Sequence, residues 1–113
     1  MIDNILESVK QLSGIEADDR SFDEDILIYI NSTIATLHQL GVESDLYYVD
    51  EDTEWADYLD DGIVLNMVKD YVSKKVRLKF DPPTGSAFDA LKQVIDELEW
   101  RINVEVDPKT EEG

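Results

Sequence analysis

Most of the side chains in this sequence that could do chemistry are acids, accompanied by a single histidine. There is no cysteine, and His38 is the one histidine. A Cys–His site is therefore impossible, and a Ser–His–acid site would have to use His38. No Gly-x-Ser-x-Gly turn presents a strained nucleophile, so His38 reads as a boundary residue at the edge of a helix stripe. Paired carboxylates perform acid–base work. With 27 acids in 113 residues, however, chance pairs are certain, and a solvated acidic surface is the default. Asp50, Asp52 and Glu54 follow the spacing that opens a calcium loop, with Asp61 at the twelfth place. Trp55 stands where that loop needs glycine for its turn, which removes the geometry and not merely a ligand. The five glycines form no phosphate-cradling loop. No catalytic residue, metal or other cofactor is expected.

Five of the ten bases (Lys69, Lys74, Lys75, Arg77 and Lys79) fall in one stretch. On a helical wheel they scatter around the axis rather than forming one stripe. The formal net charge of −17 repels phosphate backbones and anionic membranes. Specific DNA binding is therefore not expected, although such a charge suits a surface past which DNA must slide. Residues 43–61 carry nine acids and no base. They complement the basic stretch, and the nearer expectation is that the two neutralise each other within one subunit. Across subunits, with Lys74, Lys75 and Arg77 facing those acids, they would guide a head-to-tail contact that closes into a ring.

The elements that position these groups follow from apolar periodicity. Ile2, Ile5, Leu6, Val9 and Leu12 make one stripe of a short helix that ends at Gly14. Ser21 and Glu24 have capping-box spacing ahead of a second helix. Its stripe is Ile26, Ile30, Ile34, Leu37 and Leu40, and it closes at Gly41. In the acidic segment, Tyr47–Val49 reads as a short strand, and Thr53 reads as the N-cap of a helical turn up to Leu59. Ile63 to Phe80 forms a third long helix, stopped by Asp81-Pro82-Pro83. Ser86, with Asp89 three residues on, opens the last helix. Ala87, Phe88, Leu91, Val94, Ile95, Leu98 and Ile102 share one arc of it, and Asp107-Pro108 ends it. The fold class is all-α: a bundle of four main helices with a less regular acidic segment between the second and third. One domain covers residues 1–106, and 107–113 form a flexible tail.

The opening residues lack the basic and apolar regions of a signal peptide, and no apolar run reaches the roughly 20 residues of a membrane span. Synthesis in the cytoplasm and no membrane partner are expected. Trp100 and Val104 leave the core arc of the last helix, while Tyr47, Tyr48, Trp55 and Tyr58 crowd the acidic segment. Trp and Tyr are enriched among interface anchors. Alternatively, these rings form a satellite cluster in which the segment folds over the last helix.

Several segments, in order, resemble one family. Phe22-Asp23 through Ile26, Ile30-Asn31 and Leu37–Val42 (LHQLGV) are similar to the second helix of the head–tail connector proteins of tailed bacteriophages, also called head-completion or adaptor proteins. Val68–Val72 (VKDYV) and Lys75–Pro83 (KVRLKFDPP) resemble their third helix and the corner after it. Glu99–Asn103 (EWRIN) resembles the end of their last helix. The likeness spans residues 4–108 and is weakest over 43–61, apart from Trp55. It implies a structural subunit, no enzyme, located at the head–tail interface of the virion. It also implies a ring of about a dozen copies docked on the portal protein, with DNA passing through and a neck, stopper or tail-completion protein beyond. The resemblance places Trp100, Arg101 and Asn103 on the portal side and Tyr47, Tyr48 and Trp55 on the other. The competing reading is an acidic binding module, such as a DNA mimic or a regulator of a basic host protein.

Overall fold

The computed structural model describes residues 3–60 and 62–106. Ile2, Asp61 and the expected tail, 107–113, lie outside the described residues. Five helices follow one another: α1 (Ile5–Leu12), α2 (Asp23–Leu40), the single turn α3 (Trp55–Tyr58), α4 (Ile63–Phe80) and α5 (Ser86–Val106). Four are long enough to form the expected all-α bundle, and α4 has the expected bounds.

Local chemistry sets the ends. Asn4 caps α1 by accepting from the Glu7 N–H at 2.9 Å. The first turn of α2 carries Asp23, Glu24 and Asp25, which suit the positive end of its dipole. The box expected from Ser21 and Glu24 does not form. Phe22 holds the cap position, and the Ser21 N–H donates instead to Asp19 Oδ1 at 3.1 Å. That bond, followed by one with the Ser21 side chain, holds the Asp19 carboxyl below its usual range. Gly41 ends α2 at φ +111°, a left-handed geometry that glycine adopts without strain. Glu54, not Thr53, caps α3, in a reciprocal box with Asp57. Ser86 is the first residue of α5 rather than its cap, and the Gly85 carbonyl accepts from Phe88 and Asp89.

α4 packs against α5 on one side and α2 on the other, and α1 closes over α2 and α4. Ile5, Leu6 and Val9 of α1 meet Ile26, Ile30, Ile34 and Leu37 of α2, with Val68, Tyr71, Val72 and Val76 of α4, in one core. From α5 only Ile95, Leu98 and Ile102 are buried. Each such aliphatic side chain contributes about 1.5–3 kcal/mol. The arc expected on α5 is thus covered over half its length. Ala87 is exposed and Val94 is 39% exposed, whereas Phe88 and Leu91 on the same arc are half-buried. Leu12, on the α1 stripe, is also exposed.

Among the described residues there is no strand. The expected Tyr47–Val49 strand is replaced by an extended stretch along α2, and the sole bridge pairs Asn4 with Glu54. Around it the Ile5 N–H donates to the Thr53 carbonyl and the Trp55 N–H to the Asp3 carbonyl. The acidic segment is thereby sewn to the start of α1, far away in sequence.

Candidate assembly surfaces

The acidic segment owes its path to Asn31. This side chain stands at the edge of the buried face of α2. It donates to the Val49 carbonyl at 2.9 Å and accepts the Val49 N–H at 2.7 Å. One amide thus satisfies both backbone groups of Val49, as a neighbouring strand would. Val49 and Val42 are buried on either side of residues 43–48. Ser44 ties that stretch to the Tyr58 carbonyl at 2.6 Å. Tyr47 and Tyr48 are left outside, 76% and 66% exposed. The Tyr47 ring meets His38 edge-on, with centroids 6.2 Å apart, above an apolar cavity of about 250 Å³ lined by Ile34, Ala35, Val42 and Leu46.

Two aromatics expected at this surface are not there. Trp55 is 1% exposed and Tyr58 4%. Trp55 packs in the core, its indole N–H donating to Ser8 Oγ at 2.9 Å, and burial pushes the Tyr58 hydroxyl up to about 12. This corrects the expectation that they anchor a neighbour. α3 turns both rings inward, where they extend the core beneath the segment. Asp50, the first residue of the calcium-like spacing, is committed to the turn. Its carboxylate accepts from the Asp52 N–H and the Thr53 hydroxyl, which hold it below the usual carboxylate range. Among the described residues, no group of three or more acids or histidines is placed to hold a metal ion.

The basic helix and the acidic segment do not neutralise each other as expected. Among the described residues no ion pair joins them. Lys74 pairs with Asp70 of its own helix, Lys75 lies over the Tyr71 ring at 5.9 Å, and Lys69 lies over the buried Trp55 ring at 5.9 Å. Arg77 is exposed. The segment's one ionic contact to a base among the described residues is Glu51 with Arg20, at 3.9 Å. Both charged surfaces therefore remain open.

On α5, Trp100 is 66% exposed and Val104 stands outward one turn on. Arg101 pairs with Glu97 of the same helix at 3.2 Å. Asn103 is partly engaged inside the subunit, donating to the Leu40 carbonyl at 2.9 Å, one of the orphan acceptors at the end of α2.

Two internal features escape a reading of the sequence. Lys10 is 1% exposed. Its ammonium donates to the Ala17 and Asp19 carbonyls at 3.2 and 2.7 Å and pairs with Asp23 at 2.7 Å. All three of its protons are matched, which is what a buried charge requires. A hint was its place one turn after Leu6 on the α1 stripe. Tyr71, in the core of α4, donates to Glu99 of α5 at 2.7 Å. Burial first, then that bond, raises its hydroxyl above the ordinary tyrosine range.

The family described as Phage connector protein matches residues 5–109. No curated protein and no solved structure matches the chain significantly. With nearly its whole length matched, the chain belongs to the phage connector family, whose members are structural proteins that join other head and tail proteins in the virion. Among the described residues no helix is long and apolar enough to cross a membrane.

Proposed function

We propose that this chain is the repeating subunit of a connector ring. Trp100, Arg101 and Val104 at the end of α5 dock on the portal protein. Tyr47 and Tyr48, together with Lys74, Lys75 and Arg77, serve the tail side or the contacts between subunits. The observation that carries this reading is the outward Trp100 with Val104 beside it, on a helix turn whose other side is buried through Leu98 and Ile102. An exposed indole next to an arginine is the usual composition of an interface anchor. The charge of −17 supports a channel through which DNA passes without being gripped. Residues 1–106 act as one unit, assembled from the host cytoplasm into the virion.

The test is capture by the portal protein. Trp100→Ala should retain the helical signal of the wild type and lose most portal capture. Undiminished capture would remove the docking face. The acids of 43–60, of which Glu51 alone meets a base among the described residues, favour a second reading, an acidic module for a basic host protein. That reading expects a particle that stays at one-chain mass with portal present and binds basic proteins instead.

A further inference from the structure

We propose that the corner between α4 and α5 is the seat for residues 46–51 of a second copy of this chain. This rests on the ring reading above and names the two faces that meet in it. Arg77, Pro83, Ala87, Ala90, Leu91 and Val94 line a shallow groove of about 250 Å³. Its floor is exposed Ala87, Ala90 and Val94 of α5 beside the half-buried Leu91. The groove sits in the one basic island of the molecule. Residues 71–95 carry five bases and two acids, whereas the chain as a whole is at −17. Arg77 and Lys79 have no carboxylate within ion-pair distance among the described residues.

What fits this groove is an acidic, exposed stretch with apolar side chains, and the same chain displays one. Tyr47 and Tyr48 are its most exposed aromatics apart from Trp100, and Asp50, Glu51 and Asp52 follow them. Two copies at −17 repel each other in most orientations. Setting the island of one against the acids of the next is the orientation in which the charges attract. Tyrosine rings on an aliphatic floor then supply contact area at low entropic cost. Because the two faces consist of different residues, the contact is heterologous and each copy keeps one face free for the next.

The absence of native cysteine allows a direct test. Tyr48→Cys chains are mixed with Ala90→Cys chains under mild oxidation, with wild-type mass followed in parallel by light scattering. Both positions are exposed, and circular dichroism checks that each variant folds. The expected result is a mixed disulfide dimer in clear excess over both homodimers. It should be lost on adding Arg77→Glu to the Ala90→Cys chain, and lost in about 0.5 M salt, where screening shortens to a few ångström. One chain carrying both cysteines should give a ladder beyond the dimer. Dimers in statistical proportion, or a mixed dimer indifferent to Arg77→Glu, would overturn the proposal. So would wild-type multimers without the mixed dimer, which would leave the ring standing and move its faces elsewhere. Wild type held at one-chain mass with no cross-link at any concentration would overturn both the seat and the ring.

Discussion

At the scale of single residues, the most consequential side chain is Asn31, because it substitutes for a missing strand. Asn31→Ala strips both partners from the Val49 backbone. It should cost about 2 kcal/mol, the penalty for buried polar groups left unmatched, measured by urea denaturation. The tyrosines in the core set the response to alkali. The Tyr58 hydroxyl is raised from its ordinary 10 to about 12, and that of Tyr71 is raised as well. A group whose folded value lies above its unfolded one favours folding fully below the unfolded value, and that contribution disappears as pH climbs through the folded one. The denaturation midpoint should therefore be insensitive to these groups below about pH 10 and fall towards about pH 12. The double variant Tyr58→Phe, Tyr71→Phe should flatten that fall. Residue roles are the least legible part of the sequence. Trp55 and Tyr58 sit among acids in sequence, so they resembled an exposed patch. Trp55 is held by Ser8 of α1, and Tyr58 lines a cavity with Ile34 and Val42, contacts that no local spacing reveals.

At the scale of elements, periodicity and punctuation were sufficient for the helices themselves. The run from Ile63 to the prolines at 82 and 83 marks α4 at both ends, and Gly41 marks the end of α2. Caps were less legible, because several polar residues compete within each turn: Asp19 takes the Ser21 N–H, and Glu54 displaces Thr53. A stripe also tells which side of a helix is apolar without telling whether anything lies on it, so Ala87 and Val94 share the apolar arc yet stand exposed. The junction of α2 and α5 is testable at this scale. A methyl group at Gly41 would stand 3.0 Å from Val106 Cγ2, on a backbone at φ +111°. Gly41→Ala should cost about 1–3 kcal/mol, read as a lowered urea midpoint with helix content retained at zero denaturant. Trp55→Ala should cost about 3–5 kcal/mol, whereas Trp100→Ala should stay within about 0.5 kcal/mol. That pair of measurements separates core from surface aromatics.

At the scale of the whole molecule, charge governs behaviour. The excess of acids was plain from composition. The lack of ion pairs between the acidic segment and the basic helix among the described residues was not, because complementary composition does not fix which side chains meet: where the two adjoin, Lys69 lies over the Trp55 ring rather than beside a carboxylate. Unrelieved repulsion at −17 destabilises the compact state, so the thermal midpoint should rise by several degrees from low salt to physiological ionic strength as screening takes hold. Calorimetry at a series of salt concentrations checks this, and a midpoint that falls with salt would contradict it. The stretch 43–48, slung between buried Val42 and Val49, has a consequence for how such a subunit diversifies. Ser44 and Leu46 hold it to the bundle, so only its outward side chains, Glu43, Asp45, Tyr47 and Tyr48, are free to change. The proposed contact surface could thus drift at those four positions while the helices are inherited unchanged, and substituting any one of them should change stability by no more than about 0.5 kcal/mol.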